Sequence, residues 1–336
     1  MILHILKRKA KIDSFNRKWA GTQMPFCHGL INFVLWPNKI TFCCSSTNDP
    51  LNGPVIIDKN IENFNFFVFL EHLDRILGEI KCGSSACNGC ELLEYQTIPR
   101  LSYSKTFSTI TLNNFTRCNA KCVYCNIWEN NTPFYYNALP ILKRFKEEGL
   151  FNKNFTVFWG GGEPLIYPEF EEICNWCLKN KFIQIINSTG LTFSEAVLDG
   201  LKNSLIQLRI SPDSGTKDLY SKIKRLNGFE RVWSHIDQYC KYADNVTVKY
   251  IIFSLNNDEN EIRSFVEQCI NNGVKNIEVS CEWRTIWEYD PNWEYGLLSE
   301  KDIQAAWLLK NLAEEHGIKA EFSSIWGKKM LAGEIK

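Results

Sequence analysis

From Phe107 onward, short runs rich in β-branched and aromatic residues alternate with longer segments whose apolar residues recur at helical spacing. No other feature restricts the fold as much, because parallel strands need long crossovers and helical crossovers cover the sheet they join. Strands are predicted over 107–113, 155–159, 182–187, 206–211, 246–254 and 276–281. The intervening helical patterns cover 136–148, 169–179, 194–202, 229–242 and 258–271. Six repeats of this kind predict an α/β fold, a partial (β/α)6 barrel, over residues 99–290. One more helix over 299–316, stopped at Gly317, and a strand over 318–322 extend the barrel edge within a carboxyl-terminal segment, 291–336.

Ahead of the barrel the pattern changes. Residues 1–24 read as an amino-terminal extension and 25–98 as a small cysteine-rich module, with a hairpin-like stretch over 30–43, a polar loop over 45–54 and a helix near 66–80. The extension mixes Lys7, Arg8, Lys9, Lys11, Arg17 and Lys18 with short apolar runs, unlike the apolar core of a signal peptide. No span of the chain approaches the roughly 20 apolar residues of a membrane helix. A cytoplasmic protein without a membrane partner is therefore expected. Lysine plus arginine and aspartate plus glutamate balance at 38 each, so no overall basic field draws the chain to nucleic acid, and no such partner is expected.

The 14 cysteines of the 336-residue chain, without a secretion signal, point to metal ligation more than to disulfides. Nine of them lie before Phe134: Cys27, Cys43, Cys44, Cys82, Cys87, Cys90, Cys118, Cys122 and Cys125. Cys174, Cys177, Cys240 and Cys269 fall in helical patterns and read as small buried hydrophobes. Cys281 differs because it ends the sixth predicted strand, beside Glu282, Trp283 and Arg284. It is the candidate catalytic residue, as a hydrogen-atom donor or substrate contact, with core packing as the competing reading.

The segment Arg117-Cys118-Asn119-Ala120-Lys121-Cys122-Val123-Tyr124-Cys125 sets three thiolates in the loop after the first barrel strand, the end of the strand where barrel enzymes build their sites. Three thiolates on a four-iron cube leave one iron open to another ligand. Zinc or a purely structural cluster is the competing reading of that spacing. The C-x3-C-x2-C arrangement resembles the signature of the radical S-adenosylmethionine (SAM) superfamily. That resemblance implies a [4Fe-4S] cluster on Cys118, Cys122 and Cys125 whose open iron chelates the amino and carboxylate groups of SAM. After the second strand, Gly160-Gly161-Gly162-Glu163-Pro164 looks like the family's GGE motif, in which Gly161, Gly162 and Glu163 receive the methionine ammonium. By the same resemblance Ser188, Ser211 and Asp213 bind the ribose hydroxyls or the methionine carboxylate, and Tyr124 lies against the adenine. On their own chemistry these are turn and cap residues, Asp213 capping a helix that begins near Lys217. Asn256 carries no assigned role.

The amino-terminal module resembles the SPASM/Twitch auxiliary-cluster domain on Cys27, Cys43 and the pair Cys87-Asn88-Gly89-Cys90. Asn38 stands where glycine is usual in the hairpin, as the residue best able to replace glycine at positive φ. The module also precedes the barrel, whereas in well-known members it follows. The resemblance implies a second, auxiliary [4Fe-4S] cluster on Cys27, Cys43, Cys87 and Cys90. Cys44 in place of Cys43, Cys82 as a further ligand, and a zinc knob on the same residues stay open.

Together these resemblances imply a radical SAM enzyme that takes an electron from a donor such as flavodoxin or ferredoxin. It cleaves SAM reductively to a 5'-deoxyadenosyl radical and abstracts hydrogen from a peptide, protein or small biosynthetic substrate. Epimerisation, cross-linking, dehydrogenation and methylation are all compatible with the motifs. The aromatic stretch holding Trp283, Trp287, Tyr289 and Trp293 either covers a pocket or packs the barrel end. The alternative is a non-catalytic protein whose degenerate barrel is stabilised by zinc or clusters.

Overall fold

The computed structural model describes residues 2–42, 54–58, 60–85, 87, 90, 93–102, 106–125, 127–128, 135–281 and 298–323. They fall into two compact units, one of Met1–Phe115 with Thr132–Gly161 and one of Thr116–Asn131 with Gly162–Lys336.

The first unit contains, in chain order, α1 (Ile2–Trp19), β1 (Gln23–Phe26), β2 (Phe33–Leu35), β3 (Ile40–Thr41), β4 (Val55–Ile57), α2 (Phe66–Cys82), β5 (Glu94–Thr97), β6 (Phe107–Leu112), α3 (Leu139–Glu147) and β7 (Phe151–Trp159). Helix α1 buries Ile12, Phe15 and Trp19 on one stripe together with Arg8 and Asn16. Those two polar groups are satisfied. Asn16 exchanges two 2.9 Å hydrogen bonds with the Leu101 backbone, and Arg8 donates to the Glu148 carbonyl at 2.6 Å. Strands β1 and β5 form an antiparallel ribbon. The others run in the order β7-β6-β2-β3-β4, parallel from β7 to β2 and antiparallel from β2 to β4. Phe33 packs edge-on to Phe64, Phe107 and Phe145, with ring centroids 4.9–5.4 Å apart. Each such ring contributes about 1.5–3 kcal/mol on burial. Asn65 caps α2 by accepting from Phe67 N and Val68 N, and Gly83, at φ +74°, ends it.

One expectation is corrected in this unit. Asn38 is not among the residues with positive φ. The turn closes by a 2.9 Å bond from Trp36 N to Lys39 O, which puts Pro37 and Asn38 at its two central positions. With φ negative at Asn38 the turn asks for no left-handed residue there, so it makes no demand for glycine.

The second unit contains α4 (Phe170–Lys179), β8 (Ile183–Ser188), α5 (Glu195–Lys202), β9 (Ile206–Ile210), α6 (Lys217–Lys224), α7 (Phe229–Cys240), β10 (Val246–Ile252), α8 (Glu259–Asn271), β11 (Asn276–Cys281), α9 (Glu300–Glu315) and β12 (Lys319–Phe322). Its five strands lie parallel and in sequence order from β8 to β12. Alternate residues Ile206, Leu208, Ile210, Val246, Val248, Tyr250, Ile252, Ile277 and Val279 are fully or nearly buried, as strands covered by helices require. Ser194 caps α5, Asp258 caps α8, and Ser299 with Asp302 forms a capping box on α9. The result is an α/β fold with mostly parallel strands, in keeping with the partial (β/α)6 barrel. Among the described residues no helix is long and apolar enough to cross a membrane.

Candidate active site

The site grows from the way residues 160–163 lie against the chain leading to Cys118. Gly161 has φ +80°, and a Cβ there would lie 2.6 Å from the Phe115 carbonyl oxygen. At Gly162 a Cβ would come within 1.9 Å of the Arg117 carbonyl oxygen, so nothing larger than glycine fits. Glu163 N donates to that same Arg117 oxygen at 2.9 Å. The glycines are thus demanded by close backbone approach.

Glu163 itself is 0% exposed. Its Oε1 accepts from Ser188 Oγ at 2.9 Å and from Leu165 N at 3.1 Å, and its Oε2 accepts from Thr189 N at 2.6 Å. Burial raises its carboxyl above the usual range despite these donors. It is a buried acceptor group against which no cation lies among the described residues, a setting that suits an ammonium ligand. Thr189 Oγ1 donates to Asn119 Oδ1 at 2.9 Å, which ties the end of β8 to the residue after Cys118. Ser211, just past β9, donates its backbone N–H to Ser188 O at 3.2 Å. The expected neighbours Glu163, Ser188 and Ser211 are therefore brought together.

The cysteine loop is pinned on the end of α6. Lys121 N donates to Lys224 O at 3.1 Å, and Val123 N donates to Ile223 O at 2.9 Å. Trp128 Nε1 donates to Cys122 O at 3.0 Å, and the Trp128 ring receives the Arg225 guanidinium at 5.6 Å. Cys118, Cys122 and Cys125 pack into one cluster with Ala120, Tyr124, Ile223 and Phe253. Burial first, then Glu163 and the other two cysteines, pushes the Cys118 thiol up to about 12. Burial likewise raises Cys125, with Cys122 adding to it and Lys224 opposing. Among the described residues no group of three or more His, Cys, Asp or Glu side chains converges as the ligands of one metal ion. The three thiols, Cys122 buried and Cys118 and Cys125 partly so, do fit an iron-sulfur cluster, whose positive irons would offset the thiolate charge that burial disfavours.

Beneath the loop lies a charged centre. Asp213, 0% exposed and at φ +56°, receives Tyr124 OH at 2.5 Å and Lys224 Nζ at 2.5 Å on Oδ2, and Ile251 N at 2.8 Å on Oδ1. Lys224 Nζ also donates to Tyr124 OH at 2.9 Å. Burial pulls the Lys224 ammonium down, but the charge of Asp213, helped by Cys122, outweighs it and holds it above the ordinary lysine value. Burial, then Asp213, raises the Tyr124 phenol, so Tyr124 stays neutral. Asn256 closes the centre by donating to Asp213 O at 3.0 Å and Ile251 O at 2.9 Å. The N-cap of α6 is Thr216, not Asp213. Glu261 on α8 accepts from Ser214 Oγ, Gly215 N and Thr216 Oγ1 at 2.5–2.8 Å, fixing the turn after Asp213.

Lys224, Glu261 and Asn119 line this arrangement without having been singled out in the sequence, and Asn256, named there without a role, joins them. The signal for Lys224 was available, since it occupies the buried stripe of α6 with Tyr220 and Ile223. Cys281 has the parity of Ile277 and Val279, which gives it the helix-covered side of β11. Glu282, Trp283, Arg284, Trp287, Tyr289 and Trp293 lie outside the described residues.

In the first unit, Cys27 N-caps a short 3-10 turn, its Sγ accepting from Gly29 N at 3.3 Å. Burial raises the Cys87 thiol, and Cys90 and Cys27 raise it further. Cys82 is exposed at the end of α2. Cys43 and Cys44 lie outside the described residues.

Residues 112–269 match the family model described as Radical SAM superfamily. Molybdenum cofactor biosynthesis protein 1 of Dictyostelium discoideum is 30% identical over 194 residues, covering 54% of this chain and 29% of that protein. The GTP 3',8-cyclase of Desulforamulus reducens is 26% identical over 146 residues, covering 41% of this chain and 44% of that protein. The chain thus spans less than half the length of these two relatives. Among solved structures, Streptococcus suis SuiB bound to precursor peptide SuiA superposes with TM-score 0.53 at 12% identity, over 92% of this chain and 75% of that one. Native anSMEcpe with bound AdoMet gives TM-score 0.52 at 18% identity, over 68% and 67%. At such identities the structural likeness concerns the fold. Residues 112–269, which hold the cysteine loop, the glycine ledge with Glu163, and the Asp213 centre, are thus similar to the radical SAM domain of that superfamily's enzymes.

Proposed function

We propose that Cys118, Cys122 and Cys125 hold a [4Fe-4S] cluster and that the chain uses it to abstract hydrogen from a peptide, protein or small biosynthetic substrate. The observation that carries the reading is the buried Glu163, held by Ser188 and Thr189 and backed onto the cysteine loop through Arg117. When bound on Cys118, Cys122 and Cys125, the cluster would supply one-electron reduction of SAM, fed by a donor such as flavodoxin or ferredoxin, giving methionine and a 5'-deoxyadenosyl radical to take a substrate hydrogen. The chain's own residues prepare this. Glu163, with the backbone of Gly161 and Gly162, receives the methionine ammonium, and Ser188 and Ser211 supply hydroxyls to the rest of the cosubstrate. Asp213 is committed to Lys224, Tyr124 and Ile251, so we assign it to holding the loop and the Tyr124 ring in place.

The substrate class draws on the relatives by name, a GTP cyclase in sequence and a precursor-peptide enzyme in fold. Residues 25–98 are read as a SPASM/Twitch-like module whose Cys27, Cys87 and Cys90, with Cys43, bind an auxiliary [4Fe-4S] cluster. Anaerobic reconstitution followed by reduction with dithionite in the presence of SAM should release 5'-deoxyadenosine, and Cys122→Ala should abolish it. Zinc in place of iron, with no cleavage, would instead establish the non-catalytic alternative.

A further inference from the structure

The face of the β8–β12 sheet opposite the helices carries charge that the site above does not use. Arg209, Lys249 and Glu278 alternate with the buried Leu208, Val248 and Ile277 and therefore share that face. Their side chains are 35%, 21% and 17% exposed. Glu278 Oε1 lies 3.1 Å from Lys249 Nζ, and its Oε2 lies 3.7 Å from Arg209 Nη1. One carboxylate is shared by two cations, so the trio keeps one positive charge. Two residues past Glu278, Ser280 faces the same way, is 4% exposed, and among the described residues its Oγ has no hydrogen-bond partner. A buried hydroxyl left unpaired costs about 1–3 kcal/mol, which marks a place where an acceptor is missing.

The trio also sits at the right height. Ile251, about 7 Å farther along β10 than Lys249, packs against the loop of Cys122 and Tyr124 and is level with Ser280. Ser211 follows Ile210, which is in register with Val248, so it comes level with Lys249. An anion on Lys249 thus lies one pleat below the cysteine loop and beside a proposed cosubstrate residue.

We propose that Lys249 and Arg209, with the Ser280 hydroxyl, bind an anionic group of the substrate, a carboxylate or a phosphate. Glu278 is the counter-charge that holds both cations until the anion arrives. The proposal deepens the reading above and rests on it, in that it names the substrate as an anion.

The test is calorimetric titration of the anaerobic, SAM-loaded holoenzyme with inorganic pyrophosphate and, separately, with glutarate. Saturable binding of pyrophosphate alone identifies a phosphate-bearing substrate, and of glutarate alone a carboxylate-bearing one. Lys249→Met and Arg209→Met should each weaken binding about tenfold, as expected for a lost charged hydrogen bond. Lys249→Arg should largely retain it. Glu278→Gln should tighten it, because the competing carboxylate is gone, and that opposite sign separates anion binding from a merely structural ion trio. The electron paramagnetic resonance spectrum of the reduced cluster with SAM should stay unchanged in all variants. Binding of neither anion, equal binding in every variant, or weakening by Glu278→Gln overturns the proposal. Absence of SAM cleavage in the unmodified protein would overturn the radical reading instead, and leaves the anion titration readable on its own.

Discussion

Lys224 and Asp213 form an ion pair whose side chains are 2% and 0% exposed, so each charge depends on the other. Lys224→Met should therefore destabilise by about 3–5 kcal/mol, the usual cost of stranding one buried charge. The double variant Lys224→Met with Asp213→Asn should recover much of that loss, since no net charge is then stranded. Thermal melts of the two single variants and the double variant measure the coupling, and additive losses would refute it. Asp213 was legible in the sequence as a motif residue, but its commitment to Lys224 was not. The partner sits on the next helix, 11 residues on, and only the fold of α6 swings it beneath the loop. The glycines and Glu163 were legible with their neighbours because a triple glycine before Glu-Pro has little other use. Ser188 found Glu163 across 25 residues as the order of strands implied.

At the scale of elements, the ledge of residues 160–163 makes a sharp demand. Gly162→Ala would press a methyl into the Arg117 carbonyl, whose carbon is 2.6 Å from the new atom. The obstacle is backbone, so relief requires moving the chain that leads into Cys118. Overpacking of this kind costs about 1–3 kcal/mol. The greater effect should fall on the loop: Gly162→Ala should lose SAM-dependent changes in the cluster's paramagnetic spectrum before it loses helical circular dichroism. Equal loss of both would mean that the glycine serves folding alone. The six strands were legible because short β-branched and aromatic runs stand between segments of helical spacing. The fifth was expected to reach residue 254 but stops at Ile252, because Asn256 takes Phe253 N at 2.9 Å and Ile251 O at 2.9 Å. Helix α1 read only as an extension, since the buried Arg8 and Asn16 interrupt its apolar stripe.

For the whole molecule, the question is how many clusters one chain carries. Cys27, Cys87 and Cys90 belong to the first unit, while Cys118, Cys122 and Cys125 pack together in the second. The spacing of the second set is compact enough to read directly. The first set is spread over more than 60 residues of sequence, with α2 between Cys27 and the Cys87–Cys90 pair, so its spacing alone does not define a site. If both sets bind four-iron clusters, reconstituted protein should contain about eight irons and eight sulfides per chain. Cys87→Ala should then lower this to about four, as should Cys122→Ala, by removing different clusters. The two losses should differ in consequence. Cys122→Ala should abolish 5'-deoxyadenosine release, whereas Cys87→Ala should keep dithionite-driven release of 5'-deoxyadenosine, because the second unit retains its own ligands. Parallel counts on Cys43→Ala, Cys44→Ala and Cys82→Ala would identify the fourth ligand as the one whose loss matches Cys87→Ala. An unmodified protein holding about four irons, unchanged by Cys87→Ala, would remove the auxiliary cluster while leaving the radical SAM site intact.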